Sequence, residues 1–136
     1  MTCTLIACLL AGALDSVQPP NVVFDGYLSA YAEAPTIGTI AYRQAVGDIP
    51  QDLRPYNVLI AVADCSLIGK EALLISGGNV YEALVFDCAG NDGTPSWMEQ
   101  NNIVAEVDWY FWQLRPDLVG QAATVVVKDH TRNNNH

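Results

Sequence analysis

The sequence predicts an all-β domain, a small closed barrel of short strands with one or two short helices. Three observations predict it. Apolar or β-branched runs of strand length recur along the chain, turn-forming residues punctuate them, and only one stretch carries a short helical pattern. A sheet of many short strands has to hide its edges, and closure into a barrel does so. The 136 residues fit one domain, and 51% hydrophobic against 15% charged residues is enough to bury a core.

Residues 22–31 are rich in β-branched and aromatic side chains and follow turn formers, so they read as the first strand. Residues 34–55 carry prolines and glycines without a sustained helical period, which predicts a long wrapping loop with one short strand over 39–42. The continuous apolar run 58–63 predicts a central strand buried on both faces. Residues 72–75 and 80–86 flank Ser76-Gly77-Gly78-Asn79, a glycine-rich connection typical of a hairpin. A loop is expected over 89–102, then a strand over 103–107. Asp108 is placed to cap a short helix over 109–114 that Pro116 stops, and residues 123–128 form the last strand.

Upstream, residues 3–14 form an uncharged run that is too short to span a bilayer as a helix and has the character of a signal-peptide core. Ala11-Gly12-Ala13 supplies the small residues that a signal peptidase accepts. The expected organisation is a leader at 1–18, a barrel domain at 22–130 and a flexible tail at 131–136, in a secreted or cell-envelope protein without an integral membrane span. The alternative is an N-terminal strand or helix packed on the domain. Leu5-Ile6-Ala7-Cys8 fits a lipoprotein cleavage pattern, but Leu9 and Leu10 continue the run that such a site should end.

Fifteen acidic residues against six basic ones leave a net charge of −9, which repels a polyphosphate backbone and excludes nucleic acid as a natural partner. Beyond the leader, Val62-Ala63-Asp64-Cys65 is echoed by Val85-Phe86-Asp87-Cys88. In an exported protein Cys65 and Cys88 form most simply a disulfide; in a cytosolic one they are two buried thiols. Two cysteines without neighbouring histidine do not make a zinc site, and no cofactor motif is present.

Residues 80–120 resemble the second half of the double-psi β-barrel shared by rare lipoprotein A, expansins and barwin-like endoglucanases. The resemblance rests on Val85-Phe86-Asp87-Cys88-Ala89-Gly90, a strand ending in Asp before a glycine-bearing loop. It rests also on Val107-Asp108-Trp109 leading into Tyr110-Phe111-Trp112-Gln113-Leu114. Ala30-Tyr31-Ala32-Glu33 and the segment 38–43 are similar to upstream elements of the same family. The resemblance implies a six-stranded double-psi barrel acting on cell-wall or extracellular glycan. Rare lipoprotein A places a histidine in the upstream element, where this chain has Tyr42 and Arg43.

The resemblance assigns Asp108 as a general acid and Asp87 as its partner. Glycosidic cleavage needs a carboxyl that protonates the leaving oxygen, and apolar neighbours such as Trp109 or Phe86 raise a carboxyl pKa for that task. The competing reading is structural, with Asp87 accepting hydrogen bonds from the glycine loop and Asp108 capping the helix. Trp97 in its polar loop is a candidate for stacking on a sugar, or it packs under the loop. Tyr27, Tyr31 and Tyr42 line a groove or fill strand positions. Trp109, Phe111 and Trp112 are expected to seal one barrel end, and Glu82, Glu99 and Glu106 to face solvent. Two functions follow: a polysaccharide-binding protein with glycan-cleaving activity, or a non-catalytic module on the same barrel.

Overall fold

Alternation of apolar residues builds a closed barrel whose interior draws on all six strands. The computed structural model describes residues 21–89 and 96–128; the expected leader, the expected tail and the loop 90–95 lie outside the described residues. In chain order the elements are β1 (Val22–Ala30), α1 (Glu33–Ala45), β2 (Val58–Val62), a 3₁₀ turn (Cys65–Leu67), β3 (Glu71–Ser76) and β4 (Asn79–Cys88). There follow α2 (Trp97–Gln100), β5 (Ile103–Val107), α3 (Trp109–Leu114), a second 3₁₀ turn (Pro116–Leu118) and β6 (Ala122–Val127).

The strands close in the order β1-β5-β2-β4-β3-β6, with β6 pairing back onto β1. Two neighbouring pairs, β1 with β5 and β2 with β4, run parallel, and the other four are antiparallel. Val58, Ile60 and Val62 of β2 meet Leu74, Val85, Val107, Val125 and Val127 inside the barrel. The intervening Leu59 and Ala61 pack outside with Leu84, Phe86 and Ile49, so β2 is buried on both faces, as its uninterrupted apolar run requires. The two Val-x-Asp-Cys segments end these parallel neighbours, and Cys65 and Cys88 form a disulfide with 4.9 Å between Cα atoms. At Gly26 the chain passes β5 so closely that a Cβ would stand 2.5 Å from the Asn102 carbonyl oxygen.

The wrapping loop expected around a strand over 39–42 is instead the 13-residue helix α1. Its inward positions are Thr36, Ile40 and Arg43, at helical spacing but mostly polar, so no apolar period announces it. Pro35 lies in the first turn, where its missing N–H costs nothing. The helix rests on the outside of β4, and Ile40 joins Tyr31, Leu53 and Tyr56 over the outer apolar layer. The loop expected over 89–102 also contains α2, begun by a capping box between Ser96 and Glu99. Phe111 and Trp112 pack on the interior cluster from one end, whereas Trp109 turns toward Tyr110 with ring centroids 5.4 Å apart. Among the described residues no helix is long and apolar enough to cross a membrane.

Candidate functional site

Asp87 lies at the end of β4, where the register against β2 shifts and brings it opposite Ala61. Ala61 is itself opposite Glu106 on β5. Paired residues point to the same face, so Asp87 and Glu106 flank Ala61 on the outer side of the barrel, the side that α1 covers. Two groups close on Asp87. The Tyr31 hydroxyl donates to its Oδ2 at 2.5 Å, and Arg43 Nη2 donates to its Oδ1 at 2.9 Å while Nη1 bonds Asp48 at 2.8 Å. The Tyr31 ring is braced by Phe86 at 5.2 Å.

The electrostatics follow from this enclosure. Burial, then the hydrogen bond to Asp87 and the charges of Asp87 and Glu106, push the Tyr31 hydroxyl far above its ordinary range. Glu106 is half-buried, against the expectation that it faces solvent. Alternation does set it on the outer face, where Tyr31 and Asp87 stand close enough to act on it electrostatically. Burial, and secondarily the Asp87 charge, raise its carboxyl above the ordinary value of 4.5. Arg43 keeps its charge, held chiefly by the bond to Asp87.

Asp108 has a different environment. It is 5% exposed; Oδ1 accepts the Phe111 N–H at 3.0 Å and Oδ2 accepts the Leu59 N–H at 2.8 Å. One carboxylate thereby caps α3 and satisfies a backbone donor of β2. The adjacent Trp109 N–H goes to the hydroxyl of the fully buried Thr36 on α1, at 3.0 Å. Among the described residues Asp87 and Asp108 share no hydrogen-bond partner. Of the residues singled out from the sequence, the structure brings Tyr31 to Asp87 and sets Tyr42 on the outer side of α1, with its ring 5.3 Å from the Arg43 guanidinium carbon. Trp97 is 56% exposed on α2, ahead of the first residue of β5, while its neighbour Met98 is buried.

A second feature lies on the outer face of β1, β6 and β3, where an open groove of about 510 Å³ runs to Asn102 and the Gly77-Gly78 turn. Asp25 is paired with Thr124, Thr124 with Ile75, and Tyr27 with Ala122, so these side chains share one face. The Tyr27 ring is half-exposed, with the small Ala122 beside it. The Thr124 hydroxyl donates to Asp25 Oδ1 at 2.6 Å. A flat aromatic edge, hydroxyls and a fixed carboxylate suit a ligand with an apolar face and polar rim. Sequence reasoning named Tyr27 but missed Asp25, although alternation along β1 was signal enough to join them. It also missed Arg43 as a partner of Asp87. Among the described residues no group of three or more His, Cys, Asp or Glu side chains is placed to hold a metal ion.

No protein-family model matches the chain, and neither a curated protein nor a solved structure matches it.

Proposed function

We propose that this chain is an exported barrel of the double-psi type that binds a polysaccharide without cleaving it. The closed six-stranded barrel with two parallel neighbour pairs is compatible with the double-psi resemblance. The Cys65–Cys88 disulfide favours an oxidising compartment, hence a secreted or cell-envelope location. The binding assignment is carried by the groove holding the exposed Tyr27 ring beside Asp25 and Thr124: a sugar ring stacks its C–H face on an aromatic while its hydroxyls bond polar neighbours. Asp108 is left to hold α3 and β2, since both its oxygens are engaged by buried backbone.

The test is retention on insoluble neutral and amino-sugar polymers, comparing the parent with Tyr27→Ala. Retention of the parent and about tenfold weaker binding of the variant, at unchanged melting temperature, support the reading. No retention of the parent on any of these polymers, or equal retention of the variant, overturns it.

One observation favours a second reading, in which glycan is cleaved by Asp87 and Glu106. A carboxyl raised by burial sits across Ala61 from a carboxylate fixed by Tyr31 and Arg43. New reducing or anhydro sugar ends released by the parent and lost in Glu106→Gln support that reading; their absence from the parent refutes it.

A further inference from the structure

The groove on β1, β6 and β3 has a charge preference as well as a shape. Asp25 is the one acidic side chain among its lining residues, and none of them is basic. Arg115, whose Nη2 lies 3.9 Å from where a Gly77 Cβ would stand, is held on its own side by Asp117 and the Tyr81 hydroxyl. Thr124 occupies Asp25 Oδ1, and Oδ2 makes no hydrogen bond among the described residues. Tyr27 stands two residues along the same strand on the same face, one strand repeat from the carboxylate.

We infer that the groove selects sugar rings carrying a free, protonated amine. The inference rests on the polysaccharide-binding reading above and specifies its substrate class. A ring lying on Tyr27 carries substituents outward in its own plane, and an ammonium substituent toward Asp25 gains a charge-assisted hydrogen bond to Oδ2. Such a bond is about twice as strong as a neutral one. N-acetylation removes the charge and adds bulk, and a uronic acid in the same place meets a like charge. Thr124 fixes the carboxylate, so little order is lost when the ligand arrives. The molecule's net charge of −9 acts in the same direction by drawing a polycation from solution.

Calorimetry with β-linked glucosamine hexamer and its fully N-acetylated counterpart, at mildly acidic pH where the amines carry their protons, tests this on the whole chain and on Asp25→Asn. Expected for the parent is a preference of about tenfold or more for the amine form, weakening as salt is raised. In Asp25→Asn the preference should vanish, the two hexamers binding with similar affinity; Asp25 is exposed, and an unchanged melting temperature confirms the fold. Equal or tighter binding of the N-acetylated hexamer by the parent overturns the inference and leaves the polysaccharide reading standing. So does a preference that survives Asp25→Asn. Binding of neither hexamer, together with failure on the insoluble polymers, overturns both.

Discussion

Replacing Asp108 by alanine removes two hydrogen bonds from places that water does not reach. The first is the cap on α3, where the Phe111 N–H loses its acceptor; such a loss costs about 1 kcal/mol. The second leaves the Leu59 N–H without its carboxylate partner in a strand buried on both faces, at about 1–3 kcal/mol. Together the expected destabilisation is about 2–4 kcal/mol, which at a urea m-value of about 2 kcal/mol/M lowers the unfolding midpoint by about 1–2 M. Asp108→Asn keeps the shape and one acceptor oxygen, so it should lose roughly half as much. Urea unfolding followed by tryptophan fluorescence reads both variants. Because Asp108 lines no part of the Tyr27 groove, glycan retention by the folded Asn variant should match the parent. An alanine variant within about 0.5 kcal/mol of the parent would show that this carboxylate does not hold α3 to β2.

Two other perturbations follow from the same contacts. The Glu106 carboxyl is raised in the folded state, so the native chain holds a proton that the unfolded chain releases at lower pH. Stability from this group is complete below its ordinary value of 4.5 and declines as pH rises through the folded value. Glu106→Gln should therefore lose less stability than the parent as pH rises above the ordinary value of 4.5, measured as urea midpoints; parallel profiles would contradict the assignment. Reducing Cys65–Cys88, which spans 23 residues, should cost about 3 kcal/mol and lower the melting temperature by about 10 °C, with Cys65→Ser/Cys88→Ser matching the reduced parent. An unchanged melt after verified reduction would show that the bridge constrains nothing the unfolded chain explores.

Local chemistry by itself determined the six barrel strands and the cap, though it also suggested a strand over 39–42 that is helix. Val58–Val62 announces burial on both faces through unbroken apolarity, Ile103–Val107 and the α3 segment are bounded by Asp108 and Pro116, and the echoed Val-x-Asp-Cys segments anticipate a bridged pair. These signals survive in one dimension because period, turn chemistry and capping act within a few residues. Helix α1 was not legible, because the side chains it turns inward answer to distant partners: Thr36 to the Trp109 N–H, Arg43 to Asp87. Nor was the fate of the carboxylates. Only closure of the barrel brought Glu106 near Asp87, set Asp87 between Tyr31 and Arg43, drew Asp108 into the backbone of β2, and left Asp25 beside Tyr27 on an open face. A carboxylate's chemistry depends on the dielectric and donors around it, and here those donors lie up to 99 residues away in the chain.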